Sequence, residues 1–255
     1  MSKQSRASGF RKIALSIWQH HGDPSVYSFV ELDVTGIETK SSLLPLVIKA
    51  LGATMNKNSE LHSMIRWGQI ELRKDKSISV MVNIPGREKD DLSALNLEDT
   101  HVMSVEEIQK RTELKAVAVR ERRDPHLGPI LNLIQFVPGP LLKTMFNLYE
   151  LLVYEFNTRL GMSFLPHKPF GSIIVSNVGS LGIKNALLPL VPLARAAAMV
   201  SVGKITPQPR CVNGVICVRE VVQLGITFDH RLFDGSHAAR MLADFESYFY
   251  SRNGA

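Results

Sequence analysis

Cysteine is almost absent. Cys211 and Cys217 are the only two in 255 residues. They flank an Asn213-Gly214 pair, and no further Cys or His spacing completes a metal site. Neither a disulfide framework nor a bound metal is expected, and a reduced, cytoplasmic setting is. Long apolar runs are missing too, with no stretch of the roughly 18 residues that a membrane-spanning helix needs. No G-x-G-x-x-G opens a helix, which argues against a dinucleotide fingerprint. There is no internal repeat, low-complexity tract, linker or nucleic-acid motif, and basic residues are dispersed apart from Arg120-Glu121-Arg122-Arg123. Acids are absent before Asp23, as in a transit peptide, but the apolar block Ile13–Trp18 is too short for a signal core, so a first structural helix is expected there.

What is present suits one folded unit. Apolar residues make up 45% and charged residues 21% of the chain, ordinary values for a globular protein. At this length a single core buries about 75% of the unfolded surface without a staple. One domain over residues 1–255 is the expectation. The net charge of +6 suits anionic ligands such as nucleotides or coenzyme A, and equally suits plain solubility.

Periodicity supplies the elements. Phe10, Ile13, Ala14, Ile17 and Trp18 recur at helical spacing, predicting a helix over Phe10–His21. Ser25–Val34 is rich in β-branched and aromatic residues and reads as a strand. Ser41-Ser42 precede an apolar helix, LLPLVIKALGATMN, with Pro45 tolerated in its first turn. Met64–Leu72 and Ser77–Ile84 read as strands. Ser104–Arg123 reads as a charged helix with Glu106 and Glu107 at its start and basic residues at its end, as the helix dipole favours. Leu127–Leu160 is an apolar helical segment broken by Pro138-Gly139-Pro140. It reads as a buried or oligomer-facing hairpin, or as a lid touching a membrane surface or an acyl chain. Gly171–Ser176 and Ala197–Val202 read as buried strands, and Asn213-Gly214 as a hairpin turn. Between Asn177 and Gly182, two glycines permit positive φ and close backbone approach.

The chemistry concentrates in Asp229-His230-Arg231-Leu232-Phe233-Asp234-Gly235. It follows the β-branched run Val221–Phe228 and precedes a helical repeat, SHAARMLADFESYF. His230 thus sits where a buried strand becomes a turn, with a carboxylate four residues on. A neutral imidazole there suits proton transfer at physiological pH.

Several stretches carry a resemblance. VVQLGITFDHRLFDGSHAARML resembles the C-terminal signature of the dihydrolipoyl acyltransferases, the transacylase cores of 2-oxoacid dehydrogenase complexes, through its D-H-R-x-x-D-G. It also resembles the H-x-x-x-D-G motif of chloramphenicol acetyltransferase. SGFRKIALSIW, VYSFVELDVTGI and GSIIVSNVGSLGI are similar to the family's first helix, first core strand, and G-x-F-T-I-S-N-x-G strand and turn. The segment at about 127–160 departs from the family, and no lipoyl or subunit-binding domain is seen. The resemblance implies an α/β, chloramphenicol acetyltransferase-like two-layer sandwich, its mixed β-sheet packed with helices. It implies acyl transfer between coenzyme A and a thiol or other acceptor, with His230 as general base and the Ser176 hydroxyl as oxyanion donor. Asp234 would brace the turn by an ion pair with a basic residue, for which Arg11 is the candidate. Gly235 would allow a tight exit into the helix, and Asn177 would shape the turn beside Ser176.

The resemblance further implies a homotrimer or a higher multiple of one, its site shared between subunits, with a lipoyl-domain protein as a partner acting in trans. The competing reading is a catalytically inactive structural or assembly subunit, in which His230 is a remnant.

Overall fold

The computed structural model describes residues 24–37, 43–85, 91–121, 137–158 and 170–251. The helix expected at Phe10–His21, Arg11 within it, and the first half of the apolar segment lie outside the described residues. Along the chain come β1 (Ser25–Asp33), α1 (Leu43–Lys57), β2 (Ser63–Arg66), β3 (Gln69–Leu72), β4 (Ser77–Ile84), β5 (Asp91–Glu98) and α2 (Val105–Arg120). They are followed by α3 (Gly139–Tyr149), β6 (Ile173–Asn177), β7 (Ala198–Val202), β8 (Thr206–Val212), β9 (Val215–Asp229) and α4 (Gly235–Ser251).

Seven strands form one mixed sheet in the order β1-β9-β7-β6-β4-β5, with β8 also paired to β9, while β2 and β3 form a separate hairpin. Only the β4–β6 and β6–β7 pairs among these are parallel. Strict alternation divides the sheet's two faces. Val80, Val82, Ile173, Val175, Ala198, Val200, Val222, Leu224, Ile226 and Phe228 join the main core. Helix α4 turns Met241, Phe245 and Phe249 into that core at four-residue spacing, each 2% exposed. Burying each such side chain is worth roughly 1.5–3 kcal/mol. The expected α/β architecture, a mixed sheet packed with helices, is the one observed.

The opposite face is covered differently. Ile174 and Met199 pack there with Ala194, Ala196, Leu188 and Leu190. An extended strap over residues 183–191 lies along β9, fixed by alternate strand residues. Asn185 Nδ2 donates to Gln223 Oε1 at 2.6 Å, Ser201 Oγ to the Ala186 carbonyl at 2.5 Å, and Thr227 Oγ1 to the Leu188 carbonyl at 2.6 Å. Gly225 makes the approach possible, because a Cβ there would stand 2.0 Å from the Ala186 carbonyl oxygen.

Arg195 anchors the far end of the strap. Its guanidinium donates to the Ile65 carbonyl at 2.9 Å, pairs with Glu155 at 2.6 Å and lies 5.0 Å over the Tyr154 ring. It therefore joins the strap to the β2–β3 hairpin and to the π-helical turn Glu150–Glu155 that continues α3. Burial raises the Tyr154 hydroxyl to about 12 and also raises the Glu150 carboxyl.

Two points differ from the sequence reading. Met64–Leu72 is a hairpin rather than one strand, turning at Trp67-Gly68, where both residues take positive φ. β5 was not expected, because DLSALNLE interleaves polar residues and carries no β-branched side chain. Helix α3 is apolar on both its inner and its outer side. Leu142 and Tyr149 face inward while Leu141, Met145 and Leu148 form an exposed stripe at helical spacing. Among the described residues, no helix is long and apolar enough to cross a membrane.

A methyl at position 225 must displace backbone, not a flexible side chain. Gly225→Ala is expected to lower unfolding stability by about 1–3 kcal/mol, measurable by urea titration.

Candidate active site

His230 leaves the sheet one residue after β9 ends. Its backbone N–H donates to the Pro24 carbonyl at 2.8 Å, which pins it to the start of β1. Its ring Nδ1 lies 2.6 Å from the Phe233 carbonyl oxygen. A carbonyl oxygen only accepts, so Nδ1 carries a proton, and in the neutral ring Nε2 is the acceptor nitrogen. The residue is exposed, on a buried base formed by Leu232 and Phe233, the latter packed against Phe228 at 5.5 Å. In the neutral ring this geometry selects the Nδ1–H tautomer of an exposed histidine.

Asp234 does not find a distant basic partner among the described residues. Its Oδ1 accepts from the His237 N–H at 2.9 Å, the Ser236 hydroxyl at 2.7 Å and the His237 Nδ1 at 2.6 Å. It is the capping residue of α4, a role its position before Gly-Ser-His already suits. The His237 backbone bond is the largest of several that hold its carboxyl well below the usual carboxylate range. His237 also lies 3.5 Å from Glu60, which Arg240 meets at 2.8 Å, so the cap is tied to the turn after α1. Gly235 is not required by backbone geometry. Its φ is not positive, and a Cβ there would meet nothing within 4 Å.

Ser176 is half-buried near the other end of the sheet, on the strap side with Ile174. Asn177 caps the following turn, its Oδ1 accepting from the Ser180 N–H at 3.2 Å and its carbonyl from the Ser180 hydroxyl at 2.7 Å. The two glycines of this turn divide the work expected of them. Gly182 takes φ of 83°, and Gly179 allows close approach to the Gly203 carbonyl. Beside Asn177 opens a cleft of about 510 Å³, lined by Leu43 and Pro45 of α1, Gln109 and Thr112 of α2, and Ser180 and Lys204.

Strand register separates the two candidate catalytic groups. Ser176 aligns with Ser201 on β7 and through it with Gly225 on β9. His230 lies five residues beyond Gly225 and two strands away from Ser176, a separation of roughly 19 Å from strand geometry. Within one chain the two do not meet.

Sequence reasoning missed one pair beside the histidine. Asp229 is 5% exposed, and its two oxygens accept from Arg231 Nε at 2.9 Å and Nη2 at 2.7 Å. That bond raises the Arg231 guanidinium above its ordinary value. The acid and base on either side of His230 were the readable signal.

Among the described residues, no group of three His, Cys, Asp or Glu could hold a metal ion. The fold is similar to that of the catalytic cores of dihydrolipoamide acetyltransferases. A probable enzyme of that kind from Listeria monocytogenes superposes with a TM-score of 0.69 at 18% identity, covering 99% of this chain and 96% of that one. The cubic core of a pyruvate dehydrogenase multienzyme complex gives 0.70 at 17% identity, covering 98% and 91%.

Sequence similarity is confined to part of the chain. The model of the 2-oxoacid dehydrogenases acyltransferase catalytic domain matches residues 170–253. The acetyltransferase component of the pyruvate dehydrogenase complex of Mycobacterium bovis is 42% identical over 77 residues, 28% of this chain and 14% of that protein. In its C-terminal third the chain is similar in sequence to the 2-oxoacid dehydrogenase acyltransferases, and along nearly its whole length it has the fold of such a catalytic core.

The cap assigned to Asp234 makes a signed prediction. A carboxylate with a lowered folded pKa stabilises above its unfolded pKa, and that stability is lost as pH falls through the folded value. The melting-temperature difference between wild type and Asp234→Ala should therefore be largest near neutrality and shrink below about pH 4. Thermal scans at both pH values check it.

Proposed function

We propose that the protein is an acyltransferase moving an acyl group between coenzyme A and a thiol acceptor, on a site completed by a second copy of the chain. The observation that carries the reading is the Nδ1 contact of His230 with the Phe233 carbonyl, which leaves Nε2 as an exposed base. Nε2 takes the proton of the attacking thiol as sulfur adds to the thioester carbonyl carbon. The tetrahedral oxyanion accepts a hydrogen bond from the Ser176 hydroxyl of the neighbouring chain. Its collapse breaks the original thioester C–S bond and expels that thiolate, which takes the proton from the imidazolium. A positioned base contributes roughly 10²–10⁴-fold, and one oxyanion donor roughly 10²–10³-fold.

The separation of Ser176 from His230 within one chain supports the shared site, because opposite ends of one sheet meet only between molecules. A homotrimer or a higher multiple of it satisfies this requirement by cyclic closure. The cleft beside Asn177 suits the coenzyme, with Lys204 available to its phosphates and Leu43 and Pro45 to its apolar arm. The acceptor class is a dihydrolipoyl thiol, presented in trans by a lipoyl-domain protein. A structure of the Azotobacter vinelandii dihydrolipoamide acetyltransferase was determined to examine a serine, a histidine and an asparagine in its catalytic mechanism. Ser176 and His230 supply two of those side-chain types here.

Subunit mixing tests the proposal. With acyl-coenzyme A and dihydrolipoamide, His230→Ala and Ser176→Ala should each lose turnover, by at least about 10²-fold. Co-refolded in equal amounts, the two inactive variants should recover about a quarter of wild-type activity, since random assembly restores both groups to that share of sites. Turnover untouched by His230→Ala sinks the enzyme reading. Inactive mixtures of properly assembled variants sink the shared site.

A further inference from the structure

The Asp229–Arg231 pair has no evident stabilising purpose. Asp229 is almost wholly buried, whereas the Arg231 side chain is 60% exposed. Taking a carboxylate out of water costs free energy that a half-solvated partner repays poorly. What the pair does is local. Asp229 Oδ1 accepts from the Arg231 backbone N–H at 3.0 Å as well as from its Nε, closing a turn around His230. The Asp229 carbonyl accepts from the Leu232 and Phe233 N–H groups at 2.9 and 3.1 Å, and its own N–H donates to the Ala197 carbonyl. One residue therefore fixes the chain on both sides of the histidine, and the consequence is that the Phe233 carbonyl arrives 2.6 Å from Nδ1.

We infer that Asp229 and Arg231 are positioning residues that hold His230 as the Nδ1–H tautomer with Nε2 directed outward, an inference that deepens the acyl-transfer reading and rests on it for its kinetic consequence. The guanidinium fork matters because it grips both carboxylate oxygens, which a lysine ammonium cannot do. Held this way, the Asp229 side chain cannot rotate out of the turn, and the Phe233 carbonyl cannot retreat from the ring.

The test uses the full-length protein, its histidines labelled with nitrogen-15, and the variants Asp229→Asn and Arg231→Lys. The His230 ring nitrogens are assigned by their disappearance in His230→Gln. Wild type should show one protonated Nδ1 and one unprotonated Nε2, and both variants a mixture of tautomers. Turnover of acyl-coenzyme A should fall in the variants by the order of 10²-fold, as for a misplaced catalytic group. KM for either substrate should change by less than about twofold, because binding is not what was removed. Arg231→Lys alters an exposed residue and carries the test if Asp229→Asn does not fold. An unchanged single tautomer in Arg231→Lys overturns the inference. A mixed tautomer with undiminished turnover upholds the pair's hold on the ring and instead overturns His230 as the base.

Discussion

The register of β9 is the constraint from which the rest of the structure follows. Its fifteen residues pair with β1 along one edge and with β7 and β8 in succession along the other. Val222, Leu224, Ile226 and Phe228 enter the helical core, while Gln223, Gly225 and Thr227 receive the strap. A slip of one residue would drive Gln223 and Thr227 into apolar packing and place a leucine or isoleucine where only a glycine fits. Both faces therefore enforce one register. The same register decides where the strand ends, and so where His230 meets Pro24 and leaves the sheet.

Much of this was legible from residue pattern, for physical reasons that vary along the chain. β1, β4, β6, β7 and β9 are rich in β-branched or apolar side chains, and α2 carries its own cap, Ser104, whose hydroxyl accepts from the Glu107 N–H. β5 escaped because its stability comes from pairing with β4 and not from propensity. The turn at Trp67 escaped because tryptophan is an unusual residue for positive φ, and its position is set by Glu155, which accepts from its backbone and indole N–H groups. The strap has no periodicity to read. Its conformation is written in Ser201, Gln223 and Thr227, on strands far along the chain.

The candidate site was partly legible as well. His230 announced itself by its place at a strand end, and Ser176 only through resemblance, since neither spacing nor composition links the two. Among the described residues Asp234 meets local donors, Ser236 and His237, while Arg11, the brace that the resemblance implies, lies outside them. The neighbours Asp229 and Arg231 were passed over for a physical reason. Charged residues flanking a turn usually face water, and the burial of Asp229 appears only once the strand ladder is built.

The distance across the sheet has a bearing on how activity would scale with assembly. Under the proposed chemistry each chain contributes a base at one end and an oxyanion donor at the other, so it behaves as a link with two unlike ends. An open chain of such links always leaves one base and one donor idle at its termini. A closed ring leaves none. Catalytic capacity per chain then rises in a step when the ring closes, and the protein's concentration sets how many sites exist as well as how many molecules do.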